Sequence, residues 1–249
     1  MTAHNTASAA LSWVNYLPIV TTTLSAIFAA ILFQRYFTRR SGPHLAWWAV
    51  GIVFYGLGTF LESTITLFGN TVFLNKAWYI AGALLGSYPL AQGSVYLLFS
   101  RRLANLTTVL TLPLLFWATL LVAVSPVLPE LLQLHRPSGA ILAWSWIRWI
   151  TPFFNLYAAI FLVGGAAVSS WRFFRKQGLL HRAFGNAFIA VGALLPGIGG
   201  AMAKAGMVEG LYFGECIGLI LIWIGYVLCV RKDAVLSQVA KVESQGVPT

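Results

Sequence analysis

Charged residues are scarce in this sequence. Only 9% of its 249 residues are charged, and six acidic residues stand against sixteen lysines and arginines. A water-soluble domain of this length needs far more charge to cover its surface, so the composition excludes a soluble protein. The net charge of +10 would suit a nucleic-acid-binding protein. Its basic residues, however, stand in short clusters between apolar runs, which excludes nucleic acid as a partner.

Cysteine and histidine are also rare. Cys216 and Cys229 are the two cysteines, and in a helix their separation of about 20 Å is too large for a disulfide. Each histidine falls in the predicted tail or in a predicted loop, at different faces: His4, His44, His135 and His181. These positions exclude a zinc site and heme ligation across a membrane.

Motifs of catalysis are missing as well. The sequence contains no Ser/His/Asp or Cys/His arrangement, and no glycine-rich loop follows a strand. A retinal protein would need a lysine deep in the last apolar run, and residues 209–230 contain none. We therefore expect a non-enzymatic protein, and the sequence assigns it no cofactor.

Long apolar runs are abundant. Apolar residues make up 59% of the chain, and the mean hydropathy is +0.79. A helix needs about 20 apolar residues to cross the hydrocarbon core of a bilayer. Seven runs meet this requirement, at approximately 17–37, 45–68, 77–99, 104–128, 140–168, 183–204 and 209–230. The sequence thus predicts an all-α fold, an integral membrane bundle of seven transmembrane helices.

Basic residues predict the orientation of this bundle. One set of span ends carries twelve of the sixteen: Arg35, Arg39, Arg40, Arg101, Arg102, Arg172, Arg175, Lys176, Arg182, Arg231, Lys232 and Lys241. The opposite ends carry Lys76, Arg136 and Lys204. The positive-inside rule then places the N-terminus outside and the C-terminus in the cytoplasm of a bacterial inner membrane. The predicted organisation is an extracytoplasmic tail over 1–16, a membrane domain over 17–230 and a short cytoplasmic tail over 231–249.

Small residues and prolines indicate how the helices pack. Small residues recur every four positions in three spans, which lets helices approach closely in lipid: Gly82 and Gly86, then Gly197, Ala201 and Ala205, then Gly214 and Gly218. Pro196 stands beside Gly197, Gly199 and Gly200, so we expect the sixth span to be the one that is locally broken.

Ionisable residues inside the predicted spans are candidate ligand-binding groups, because charge is costly in a membrane. These residues are Glu62, Arg148, Lys204 and Glu215, with Lys76 close to the start of the third span. The predicted orientation puts all of them in the outer half of the bilayer, where they could converge on one outward-facing cavity. The alternative interpretation is a set of structural ion pairs or snorkelling side chains.

Uncharged polar residues extend the candidate site. Tyr88 and Gln92 lie in the third predicted span, and Asn155 lies in the fifth. Hydrogen bonding between helices would explain the same residues equally simply.

Three stretches resemble the seven-helix membrane sensor region at the N-terminus of some bacterial histidine kinases and diguanylate cyclases. They are WAVGIVFYGLGTFLES over 48–63, KAWY over 76–79 leading into Gly82 and Pro89, and residues 177–200, which include Leu194-Leu195-Pro196. The resemblance covers about residues 10–230. It differs in the glycines that follow Pro196, where the family often has a polar residue, and in having no kinase or cyclase domain after the last span. It implies a stand-alone receptor module that signals through a separate protein.

Together these features predict a sensor or ligand-binding membrane protein that relays a helix shift to its cytoplasmic loops. Expected partners are membrane lipids, a small-molecule or lipid ligand, and a cytoplasmic or membrane protein. Two other functions stay open: an accessory subunit of a larger membrane complex, and a small transporter that uses the same polar residues as its path. The lack of a convincing internal repeat weakens the transporter interpretation.

Overall fold

A computed structural model describes residues 13–39, 42–176 and 179–245. For Lys204 and for residues 231–245 it describes the backbone alone. The greater part of the predicted tail, residues 1–12, therefore lies outside the described residues. The described part of the chain is helical, and its only β pairing is two isolated bridges.

The described residues form nine α-helices and two π-helical stretches. In chain order they are α1 (Leu17–Arg39), α2 (Pro43–Phe68), α3 (Val72–Trp78), a π-helix (Tyr79–Leu85), α4 (Tyr88–Leu98), α5 (Arg101–Val124), α6 (Ile150–Ala158), a second π-helix (Ala159–Gly164), α7 (Gly165–Phe174), α8 (Leu180–Lys204) and α9 (Val208–Gln245). Short 3₁₀ turns precede α1 and α6.

Among the described residues, six helical stretches are long and apolar enough to cross a membrane, which supports a multi-pass membrane protein. They are Trp13–Arg39, Pro43–Phe68, Arg101–Val124, Ser145–Phe174, Leu180–Ala203 and Val208–Val230. Six of the seven predicted spans overlap these stretches, and the all-α class is confirmed.

The third predicted span, 77–99, is not one continuous helix. It is divided among α3, the first π-helix and α4, with a bend at Gly86 and Ser87. Pro89 explains the interruption, because a proline has no amide hydrogen with which to continue the hydrogen bonding of the preceding helix, and it suits the first turn of the helix that follows. The break that the sequence predicted in the sixth span is wrong, since α8 continues through Pro196.

Local signals start and end several helices. The Thr71 and Ser100 hydroxyls accept hydrogen bonds from the backbone amides of Leu74 and Leu103, which caps α3 and α5. After α2 the chain turns at Gly69 with φ of 94°, and Gly206 has the same φ between α8 and α9. Only glycine adopts this left-handed conformation without strain.

The buried centre of the bundle joins α1, α2, α4, the second π-helix and α9. Phe28, Ile52, Ala91, Leu162 and Leu219 represent these five elements in one apolar cluster. A second cluster connects α5 to α4 and α6. On the other side of the bundle, α8 packs along α9. As a result α9 lies between α1 and α8, where its residues reach the centre of the molecule.

Glycines line the close contact between α8 and α9. A Cβ atom on Gly218 would lie 2.6 Å from the Gly192 carbonyl oxygen, and one on Gly225 would lie 2.4 Å from the Gly185 carbonyl oxygen. Gly197, part of the stripe that the sequence suggested, has open space around it. The contacting stripe of α8 therefore runs along a different face, through Gly185, Gly192 and Gly199.

Candidate functional site

Two glutamates from distant parts of the sequence meet between α2 and α9. Glu62 lies near the end of α2 and is 1% exposed, while Glu215 lies two turns into α9. Their carboxyl groups interact directly, side chain to side chain. We refer to Glu62 and Glu215 as the glutamate pair.

Two aromatic side chains hold the glutamate pair in position. The Trp78 indole Nε1 donates to Glu62 Oε1 at 2.8 Å, and the Tyr55 hydroxyl donates to the backbone carbonyl of Glu215 at 2.8 Å. Tyr55 precedes Glu62 by seven residues, two turns of α2, so both side chains lie on the same face of that helix. Trp78 is the last residue of α3, so the site joins three elements.

The second carboxyl oxygen of each glutamate has no partner. Oε2 of Glu62 and Oε2 of Glu215 are buried and accept no hydrogen bond from any described group. Within the described side chains, no lysine or arginine lies at ion-pairing distance from either of them. Two negative charges in contact repel strongly where the dielectric constant is low. The pair therefore needs a compensating positive charge, which a proton or a bound cation can supply.

Tyr212 lies above the glutamate pair, one turn before Glu215 on α9. Its side chain is 3% exposed. Arg136 belongs to the connection between α5 and α6, and its neighbour His135 contacts the Thr66 carbonyl through Nδ1 at 3.1 Å. This connection thus covers the end of α2 nearest the glutamates.

Two asparagines fasten this connection to the bundle. The Asn70 amide nitrogen donates to the carbonyls of Gln133 and Arg136 at 3.1 and 3.0 Å. Asn75, which is completely buried, donates to the Ser138 carbonyl at 2.7 Å and accepts from the Ser138 amide at 2.9 Å. Side-chain amides can both donate and accept, so they replace the backbone pairing that an irregular segment lacks.

Two of the basic residues predicted for the site, Lys76 and Arg148, have other surroundings. The Lys76 ammonium donates to the carbonyls of Ala123 and Ser125 at 2.8 and 2.7 Å, where α5 ends. Arg148 is exposed, because the helical stretch that contains it begins at Ser145 and not at 140. The Lys204 side chain lies outside the described part of the structure. Of the five predicted charged residues, the structure brings together Glu62 and Glu215.

The uncharged predicted residues link α4 to its neighbours. The Tyr88 hydroxyl lies 2.6 Å from the Thr111 hydroxyl of α5. The Gln92 amide nitrogen donates to the Ala104 carbonyl at 3.0 Å, and its oxygen accepts from the Tyr157 hydroxyl at 2.5 Å. Asn155 is exposed and accepts from Ser87 Oγ at 3.1 Å. For Tyr88 and Gln92 these partners fit the interpretation as hydrogen bonds between helices.

Two grooves open on the surface, and neither is lined by the glutamate pair. One, of about 420 Å³, lies between α1 and α9. The other, of about 470 Å³, lies between α5 and α6 and is mainly apolar, with Leu114, Trp117 and Phe153 among its walls. Glu62 is buried and Glu215 is half-buried, and the Oε2 atom of each is buried.

Sequence reasoning missed three residues of the site: Tyr55, Trp78 and Tyr212. Helical spacing could have found two of them, since Tyr55 lies seven residues before Glu62 and Tyr212 lies three before Glu215. The role of Trp78 depends on how α3 approaches α2, for which the sequence carries no comparable signal.

Comparisons with models of protein families, with curated proteins and with solved structures found no match to this chain.

Proposed function

We propose that this chain is a non-enzymatic membrane sensor whose signal is a proton or a small cation that occupies the glutamate pair. The observation that carries the proposal is the direct contact of two buried carboxyl groups, each with an unpartnered oxygen. A proton or cation between the carboxyl groups removes their repulsion. It therefore stabilises a conformation in which they are close more than one in which they are apart, and a ligand can shift a conformational equilibrium only through such a difference in affinity.

A small cationic signal agrees best with the geometry. Glu62 is 1% exposed, and neither groove reaches it, so a large organic ligand would require the helices to separate. An anionic ligand held by Arg148 finds less support, because Arg148 is exposed whereas Glu62 is buried.

The proposal includes seven membrane crossings with the N-terminus outside. The interrupted third segment runs over 72–98, and its helical length of about 40 Å exceeds the roughly 30 Å of a bilayer core. If this segment is counted as a span, the basic residues of the sequence fall mainly at the span ends on one side of the membrane. The glutamate pair would then lie in the outer half of the membrane.

Helix α9 offers a path for the signal. It contains Glu215 near its start and continues as helix to Gln245, 15 residues past the end of its apolar part at Val230. A shift of Glu215 would thus be carried along a single helix to the cytoplasmic side. There the moving end could act on a separate protein.

The test uses the purified protein in nanodiscs of neutral lipid. Thermal unfolding is measured as the pH is lowered and as Na⁺ or K⁺ is added in place of a bulky organic cation. We expect protons or one of the cations to raise the melting temperature by several degrees, because they remove the repulsion between the carboxylates. Glu62→Gln and Glu215→Gln should abolish this response. Glu209→Gln, an exposed glutamate of the same helix, should retain it.

Hydrogen exchange then separates a sensor from a binding site without output. In the wild-type protein the ligand should change backbone exchange in 169–176 and 231–245, and Glu62→Gln should remove the change. An unaltered melting response in both glutamine variants would refute the site. Binding without any change at the cytoplasmic segments would refute the sensor function alone.

Transport is the second candidate, and the interruption of the third segment favours it. Broken helices beside buried charges are typical of transporters, and the first π-helix follows directly on Trp78, which contacts Glu62. Cation flux into proteoliposomes that Glu62→Gln eliminates would support a transporter.

A further inference from the structure

The groove between α1 and α9 lies at the arginine-rich end of α1 and at the end of the apolar part of α9. Polar groups of α1 line one wall, and Tyr226 of α9 lines the other; the full lining is Ile31, Gln34, Arg35, Thr38, Arg39, Tyr226, Val227 and Val230. The groove has a volume of about 420 Å³. It lies eleven residues along α9 from Glu215 and does not involve the glutamate pair.

The charged side chains described in the lining of this groove are all positive. Arg35 and Arg39 are one helical turn apart, so their side chains lie on the same face of α1. No acidic side chain is among the lining residues. The Arg35 guanidinium lies 5.9 Å from the centre of the Tyr226 ring. Guanidinium groups in this arrangement favour an anion, above all a phosphate, which they can bind through two parallel hydrogen bonds.

A buried hydroxyl in the same groove lacks an acceptor. The Tyr226 side chain is 7% exposed, and its hydroxyl has no hydrogen-bond partner among the described groups. The nearby Arg35 cannot act as its acceptor, because a guanidinium carries donors only. The Tyr226 ring packs against Phe28 in an edge contact, with the ring centroids 5.5 Å apart. A buried unpaired hydroxyl is unfavourable, and an anionic oxygen in the groove would satisfy it.

We infer that this groove is a binding site for an anionic phospholipid. The headgroup phosphate would accept hydrogen bonds from Arg35, Arg39 and the Tyr226 hydroxyl. Ile31 and Val227 lie beside these polar groups and supply apolar walls for the acyl chain, which a soluble phosphate would leave unused. Basic residues near the cytoplasmic leaflet attract its anionic lipids by the same electrostatics. The inference does not depend on the proposed sensor function.

The test compares nanodiscs of phosphatidylcholine with nanodiscs that contain phosphatidylglycerol. Phosphatidylglycerol should raise the melting temperature of the wild-type protein, and native mass spectrometry should detect retained lipid. The double variant Arg35→Gln/Arg39→Gln should lose both effects, and Tyr226→Phe should bind the lipid severalfold more weakly. Matched controls are Arg102→Gln, an exposed arginine at another basic span end, and Tyr36→Phe, the neighbour of Arg35.

Each outcome decides the inference. Equal stabilisation of wild type and the double arginine variant would overturn it, as would an equal loss in Arg102→Gln. Inorganic phosphate that protects the detergent-solubilised protein as well as phosphatidylglycerol does would overturn the lipid assignment. If the double variant fails to fold, Tyr226→Phe still decides, because it keeps the ring and both charges. Retention of wild-type lipid binding in Tyr226→Phe would then contradict the site.

Discussion

The Trp78 indole donates to the Glu62 carboxyl group across 2.8 Å, and this hydrogen bond fastens the interrupted third segment to α2. One turn away the two elements also approach closely, since a Cβ atom on Gly58 would lie 2.9 Å from the Gly82 Cα atom. The hydrogen bond lies near this close approach of the two backbones. A displacement of Glu62 would therefore move Trp78, and with it the π-helix that begins at Tyr79.

Trp78→Phe removes the donor and keeps an aromatic ring. We expect the free energy of unfolding to fall by about 1 kcal/mol, because the buried acceptor loses its partner. The response of the melting temperature to protons or cations should shift as well, since Glu62 is no longer held in place. Trp117→Phe is the control, because Trp117 is 58% exposed on α5. Equal effects of the two substitutions would show that the hydrogen bond contributes nothing.

Lys76→Met tests whether this lysine serves α5 or the glutamate pair. Its ammonium donates to two carbonyls where α5 ends, and a positive charge there stabilises a helix. We expect a loss of about 1–2 kcal/mol in unfolding free energy, with the cation response of the glutamates retained. Lys176→Met, at an exposed lysine, should cause no such loss. Loss of the cation response in Lys76→Met would instead return Lys76 to the ligand site.

Gly192→Ala and Gly197→Ala are the same substitution in opposite surroundings. A Cβ atom at position 192 would lie 2.6 Å from the Gly218 carbonyl oxygen, whereas position 197 has nothing within 4 Å. Overpacking at 192 should destabilise the protein by about 1–3 kcal/mol. At 197 the higher helix propensity of alanine should leave stability unchanged or raise it by up to about 1 kcal/mol. Thermal unfolding in detergent measures both, and the reverse order would contradict the packing of α8 on α9.

Much of the helical architecture could be predicted because it depends on composition. A run such as 209–230 is apolar whatever surrounds it, so the last span was correctly located within one residue at its start, at Val208. The proximity of Glu62 and Glu215 could also be predicted, because Glu62 lies six residues before the end of α2 and Glu215 lies seven residues after the start of α9, which gives both a similar depth.

Other features depend on packing that leaves no trace in the local sequence. Pro196 and Pro89 look alike in sequence, yet α8 continues through Pro196 while the third segment bends just before Pro89. At Pro196 the Gly192 carbonyl, which loses its helical donor, lies against Gly218 of the neighbouring helix. The partners of Lys76 could not be predicted either. They are the backbone carbonyls of residues 123 and 125, and identifying them requires knowing where α5 ends.

Glu215 and Tyr226 are eleven residues apart on α9, which is close to three whole turns, so they share one face of one helix. A rotation of α9 about its axis would turn both of them together. If a cation at Glu215 and a lipid at Tyr226 favour the same rotation of α9, each ligand strengthens the binding of the other by the same factor. The composition of the membrane would then set the threshold at which the protein responds, without any contact between the two ligands.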